Sequence, residues 1–104
     1  MNITKIQNQL SRFASERDWE QFHTPKNLSM ALSVEASELV EIFQWLTPEE
    51  STHPDQKQTQ SIQSEVADIA MYLIRICQIL KIDLESAIQE KIIQNEKKYP
   101  VELS

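Results

Sequence analysis

The sequence predicts an all-α domain of four helices, and three observations predict it. Glycine is absent from all 104 residues, whereas the tight hairpin turns of β-rich folds favour glycine heavily. Apolar residues recur at helical spacing in four segments. Thr24-Pro25 and Thr47-Pro48 each pair an N-cap residue with proline at the first helical position.

The first helix, near residues 2 to 17, places Ile3, Ile6, Leu10 and Phe13 at helical spacing. A short connection, Asp18 to His23, carries Trp19 and Phe22. Thr24 then caps the second helix, which extends to about Leu46 with Leu28, Leu32, Leu39, Ile42 and Leu46 as its core stripe. Thr47-Pro48-Glu49-Glu50 repeats the cap signal with Glu50 set for a capping box, the start of a short helical turn. Residues 51 to 60 are polar and contain Pro54, so they read as a loop or ragged helix start and the most mobile segment. The third helix spans roughly 60 to 80. Asp83 caps the fourth, which reaches about Lys98 before Pro100 closes it.

The third helix is apolar nearly all round. Ile62, Val66, Ile69, Leu73, Ile76 and Leu80 form one stripe, and Ala67, Ala70, Met71 and Ile74 occupy much of the other side. Such a helix is buried on both sides. In a single domain of residues 1–104, the second side is expected to meet another subunit.

Composition removes several function classes. Without glycine there is no P-loop and no dinucleotide fingerprint, so any phosphate recognition must use metal and side chains. A net charge of −6 argues against a nucleic-acid polymer as partner, yet a divalent metal can invert the local charge for a small polyanion. The single cysteine, Cys77, allows no intrachain disulfide and no multi-thiolate zinc site, and reads as a small buried hydrophobe. The opening residues lack a signal-peptide apolar core and no run reaches membrane-spanning length. The expectation is a cytoplasmic protein without a membrane partner.

Chemistry concentrates in four carboxylates. Residues i and i+3 lie about 60° apart on a helix, so Glu35 with Glu38, and Glu65 with Asp68, form two acidic pairs. The 26 residues 39–64 between them allow the two helices to run antiparallel with the pairs facing. Glu35 falls inside the second helix's core stripe. Glu65 lies on the line of Ile62, Ile69 and Ile76, with Asp68 at its margin. Most E-x-x-E pairs in an acidic helical protein mark a solvated face, as Glu41 of the Glu38-Glu41 pair does. Two pairs whose leading residues both interrupt core stripes are a different matter, because an ionised carboxylate in apolar surroundings needs a partner. No lysine or arginine is expected nearby on either stripe. A divalent cation satisfies the arrangement, and all-oxygen ligation selects Mg²⁺, with Mn²⁺ as substitute.

Lys91, Asn95 and Lys98 share a stripe of the fourth helix with Leu84 and Ile88, and Tyr99 follows. They either snorkel from a core edge or meet the phosphates of a triphosphate. Trp19, Phe22, Trp45 and Tyr72 are candidates for stacking on a base, while Phe13 and Phe43 are expected in the core. His23 either contacts a substrate or hydrogen-bonds within its turn. His53 is solvated, and the two histidines make no zinc pattern.

Three ordered stretches carry a family resemblance. Phe22-His23-Thr24-Pro25-Lys26-Asn27-Leu28, continuing to Glu35-Ala36-Ser37-Glu38-Leu39 and Phe43-Gln44-Trp45, resembles the MazG-like nucleotide pyrophosphohydrolases. Within them it looks most like the short, single-module branch that contains dCTP pyrophosphatases. Glu65-Val66-Ala67-Asp68 with Tyr72-Leu73 matches the second acidic motif, and Lys91, Asn95 and Lys98-Tyr99-Pro100-Val101 match the closing segment. The family signature often opens with two adjacent glutamates. Here the first is Val34, a departure bearing on substrate preference more than on metal binding.

The resemblance implies a four-helix bundle assembled as a dimer or dimer of dimers, and a Mg²⁺-dependent enzyme. The implied reaction converts a (deoxy)nucleoside triphosphate to the monophosphate and pyrophosphate, often to cleanse the nucleotide pool. Glu35, Glu38, Glu65 and Asp68 would be the metal ligands, with Glu38 ahead of Glu35 as proton acceptor for the attacking water. Trp19, Trp45, Tyr72 and His23 would line the base and sugar pocket, and Lys91, Asn95, Lys98 and Tyr99 would hold phosphates. The competing expectation is a non-catalytic helical dimerisation or adaptor module whose buried acids meet a partner's basic residues.

Overall fold

A computed structural model describes residues 1–102 as helices joined by short turns, with no strand among them. Helix α1 is Ile3–Glu16, followed by a 3₁₀ turn at Glu20–Phe22. Then come α2 (Pro25–Phe43), a single turn α3 (Pro48–Ser51), α4 (Gln56–Leu80) and α5 (Leu84–Lys98). Each start is fixed by a side chain accepting an orphan helical N–H. Asn2 caps α1, Thr24 caps α2 and Asp83 caps α5. Thr47 and Glu50 close a reciprocal box on α3 at 3.1 and 2.8 Å.

Two boundaries differ from the sequence expectation. Helix α4 starts at Gln56 because Asp55 and Gln58 form a second capping box, at 2.7 and 3.0 Å. Most of the polar stretch expected as loop is therefore helical. Helix α2 stops at Phe43, and Gln44 to Leu46 turn away from it.

A glycine-free chain must end helices with other residues. Asp18 and Lys81 take left-handed backbone at φ 59° and 57°. After each, a main-chain N–H reaches back across the last helical turn, Trp19 to the carbonyl of Ala14 and Ile82 to that of Cys77, both at 2.8 Å. These are Schellman closures, built without the usual glycine.

The fold rests on α2 packed along α4, with α1 laid against α4. Leu28, Ala14, Ile74 and Cys77 are the buried apolar residues, so Cys77 sits where expected. The α2–α4 pair is antiparallel: Glu35 meets Glu65 near its middle, while Leu28 and Tyr72 line one cavity nearer the α2 start. Ile74, expected on the outward side of α4, is packed inside. The outward side instead shows Val66, Leu73 and Leu80 at seven-residue spacing, all exposed. Helix α4 is thus apolar on two sides, as expected, but the inward and outward residues are exchanged, and the outward side is exposed within the chain.

Helix α5 buries none of its residues within the chain, and Ile88, Ile92 and Ile93 are about half exposed. The radius of gyration is 17.1 Å, against about 13 Å for a compact domain of this length. The accessible surface is 8433 Å², against about 6,000 Å² for a folded monomer of this mass. Both excesses come from apolar helix faces that meet nothing within one chain.

Candidate functional site

Glu35 and Glu38 project from consecutive turns of α2 toward Glu65 of α4, and one oxygen from each lies within 4.8 Å of the others. Glu35 and Glu65 are half-buried and Glu38 is exposed. The Glu65 Oε2 atom is shut off from solvent and has no hydrogen-bond partner. A hydrogen bond with Glu35 is the largest cause raising the Glu65 pKa to about 7, followed by burial and then by Glu38. Three carboxylates meeting around a sealed, unpartnered oxygen form an arrangement that a divalent cation would neutralise. The all-oxygen donor set fits Mg²⁺ or Mn²⁺. Asp68, the fourth expected ligand, stands outside this group of three. It lies half-buried one turn along α4 and acts on the Tyr72 hydroxyl.

Beside the carboxylates lies a cavity of about 120 Å³, lined by Leu10, Phe13, Trp19, His23, Leu28, Met71, Tyr72 and Arg75. Tyr72 joins the two regions. Burial chiefly, then the Glu35 and Asp68 carboxylates, raises its phenol pKa. Trp19 stands edge-on to Phe13 at 5.4 Å and to His23 at 6.3 Å between ring centres. Larger depressions along α1, and between the chain start and Asp83–Glu85, are open to solvent and contain none of these carboxylates.

Of the expected base-contacting residues, Trp19, His23 and Tyr72 come together. Trp45 does not: it is 87% exposed beyond the end of α2 and lines no part of this cavity. Lys91, Asn95, Lys98 and Tyr99 are all exposed on or just after α5, where Lys98 lies 5.3 Å from the Tyr99 ring centre.

Two cavity residues escaped the sequence reading. Phe13, expected in the core, is 44% exposed at the cavity rim, with the Arg17 guanidinium 3.6 Å above its ring. Arg75, which the sequence reading did not single out, is buried on α4. Its Nε donates to His23 Nδ1 at 3.4 Å and its Nη1 to Gln78 Oε1 at 2.7 Å. The spacing from Asp68 through Tyr72 to Arg75 puts all three on one face, a signal that was present but attached to no motif. The His23 imidazole therefore accepts from α4, while its main-chain N–H donates to the Glu20 carbonyl within the turn at 3.1 Å. Burial first, then Arg75, lowers its pKa, opposed by Glu20. An imidazole accepting at Nδ1 is neutral and carries its proton on Nε2.

Fold and site together define a helical protein with a carboxylate cluster set against an aromatic cavity. The chain belongs to the MazG-like family, whose model matches residues 30–104. It is 42% identical over 97 residues to dCTP pyrophosphatase 1 of Bos taurus, covering 90% of this chain and 57% of the relative. The Homo sapiens protein of that name is 38% identical over 96 residues, covering 90% and 56%. This chain thus spans a little over half the length of those mammalian relatives. A crystal structure of a pyrophosphatase from Archaeoglobus fulgidus superposes with a TM-score of 0.90 at 33% identity, covering 97% of this chain and 94% of that one. No helix among the described residues is long and apolar enough to cross a membrane.

Proposed function

We propose that this chain is a divalent-metal-dependent pyrophosphohydrolase that cleaves (deoxy)nucleoside triphosphates to the monophosphate and pyrophosphate, a clearing activity on the nucleotide pool. The observation that carries this reading is the juxtaposition of Glu35, Glu38 and Glu65, with the orphaned Glu65 Oε2, and a cavity sized for one aromatic ring. The names of the relatives support the same chemistry.

Glu35, Glu38 and Glu65 would hold the metal, with Asp68 turning in to join them. A bound Mg²⁺ supplies charge neutralisation for the triphosphate and acidifies bound water. Glu38, the exposed carboxylate of the three, is where water reaches the cluster, and it accepts the proton of the water attacking the α-phosphorus. Glu65 is less available because a hydrogen bond with Glu35, then burial, holds its carboxyl above the usual range. Trp19, His23 and Tyr72 hold the base and sugar. No covalent nucleophile is required.

Trp45 and the Lys91, Asn95, Lys98 and Tyr99 row enter this reading through assembly. The apolar faces of α4 and α5, exposed in one chain, pair copies into a dimer or dimer of dimers. That pairing brings Trp45 and the α5 row toward a neighbouring site. An adaptor would have to neutralise Glu65 with a partner's cation instead, and would leave the ring-sized cavity without a role.

The test incubates the protein with a panel of deoxynucleoside triphosphates and Mg²⁺, assaying pyrophosphate and orthophosphate separately. Pyrophosphate alone is expected, abolished by chelation and by Glu38→Gln. Orthophosphate release, or activity indifferent to chelation, overturns the reading.

A further inference from the structure

Arg75 is the buried charged residue of the described chain, at 9% exposure. Its environment does not explain its charge. The ion pair found among the described residues joins Arg17 to Glu16 at the surface, and no carboxylate of the described residues lies within ion-pair distance of Arg75. Its hydrogen bonds go to neutral acceptors, His23 Nδ1 and Gln78 Oε1. Those two bonds engage Nε and Nη1. Nη2 makes none, yet it is not among the sealed unpartnered atoms, so it retains access, and the residue lines the cavity. A buried guanidinium without a carboxylate partner costs stability. Here its plane is held from two sides with donors to spare.

The cavity limits what those donors can meet. An apolar cavity of about 150 Å³ accepts one benzene, and this one is about 120 Å³. A single six-membered ring fits, with the aromatic edges of Phe13, Trp19 and Tyr72 around it. A fused purine, larger than one ring, would have to extend beyond it. Guanidinium offers only donors, so the ring edge facing Arg75 must offer adjacent acceptors. Cytosine does so at N3 and O2. Uracil and thymine place an N–H at position 3, donor against donor.

We infer that Arg75, clamped by His23 and Gln78, is the specificity-determining residue of this site and selects cytosine nucleotides by donating to the N3 and O2 edge. This rests on the proposed pyrophosphohydrolase reading and adds the base to it. Gln78 acts as a positioning residue, since it holds the guanidinium without lining the cavity.

The experiment measures kcat and KM of wild type, Arg75→Met and Arg75→Lys on dCTP, dTTP and dATP, with melting temperatures alongside. Arg75→Met replaces a buried charge by an apolar chain of similar length, a change proteins often tolerate. Arg75→Lys keeps the charge but loses the planar fork, and it serves if the first variant does not fold. Losing charge-assisted contacts to the base should cost dCTP on the order of 10- to 100-fold in kcat/KM, mostly through KM. The dTTP and dATP values should fall by less than about threefold, since the lost contacts were not made to them. Equal losses on all three nucleotides, or wild-type preference for a purine, overturn the assignment. If wild type hydrolyses no nucleotide, the underlying reading has failed instead. Equilibrium binding of dCMP against dTMP, wild type against Arg75→Met, then decides base selection on its own: an Arg75-dependent dCMP preference sustains it, and equal binding ends it.

Discussion

The main-chain N–H of Trp19 donates to the carbonyl oxygen of Ala14 at 2.8 Å, fastening the rim of the base cavity to a residue with no solvent exposure. The bond closes only because Asp18 between them adopts φ 59°, a conformation that costs L-residues roughly 1–2 kcal/mol and that Asp tolerates better than most. Asp18→Val should lower the melting temperature and raise KM for every nucleotide, because Trp19 loses its anchor. Asp18→Gly should melt at or above wild type with KM unchanged. Thermal unfolding and steady-state kinetics of both variants check this. A Val variant equal to wild type would detach the turn from the site.

A second prediction concerns protons at the carboxylate cluster. In the folded chain a hydrogen bond with Glu35, before burial, pushes the Glu65 pKa up to about 7, from an ordinary value of 4.5. Its folded pKa is raised, so its stabilising contribution is complete below 4.5 and is lost as pH rises through 7. His23 acts in the opposite sense. Its pKa is lowered, so its contribution is present above the unfolded value and lost as pH falls. The informative quantity is therefore the difference between wild type and Glu65→Gln in melting temperature from pH 5 to 8. Without metal, wild type should lose ground to the variant as pH rises. Millimolar Mg²⁺ should reverse that trend in wild type alone, by mass action on the folded state. Parallel curves with and without Mg²⁺ would remove the metal from the account.

Assembly gives a third. Val66, Leu73 and Leu80 are exposed along α4; if copies pair through them as proposed, Leu73→Glu should dissociate the assembly by burying an unpaired charge. Ile74 is unsuitable for this test because it packs inside the chain. Light scattering across a dilution series reads the outcome. A Leu73→Glu protein of unchanged mass would place the interface elsewhere.

The fourth separates base from phosphate contacts. Trp45→Ala should shift relative KM among bases, while Lys98→Ala should weaken every triphosphate alike, by about 1.5–3 kcal/mol for one charge-assisted contact. Kinetics on one pyrimidine and one purine triphosphate distinguish them. Base-dependent loss in Lys98→Ala with uniform loss in Trp45→Ala would reverse the substrate's orientation.

The sequence made the helices legible because caps and prolines act locally: Thr24, Thr47 and Asp83 each start the helix expected of them. It missed the start of α4, since a box built from Asp55 and Gln58 stands inside a stretch whose polarity reads as loop. Glu35, Glu38 and Glu65 were legible through interrupted apolar stripes. Arg75 was not, because a lone arginine in an apolar helix has no spacing partner to mark it, and its acceptor His23 lies 52 residues away. Phe13 was read as core for the related reason that helical periodicity tells which side faces inward, not whether that side ends at a cavity. Trp45 and the α5 row are exposed within one chain, and contacts between copies are not written in one chain's periodicity.

The central claim is that the Glu35, Glu38 and Glu65 cluster directs water onto the α-phosphorus of a nucleoside triphosphate. Turnover of dCTP in heavy-oxygen water with Mg²⁺, followed by phosphorus NMR of the products, tests it most directly. The account predicts dCMP carrying the heavy oxygen, unlabelled pyrophosphate, and no turnover by Glu38→Gln. Label in the pyrophosphate, or a diphosphate product with orthophosphate, would contradict it.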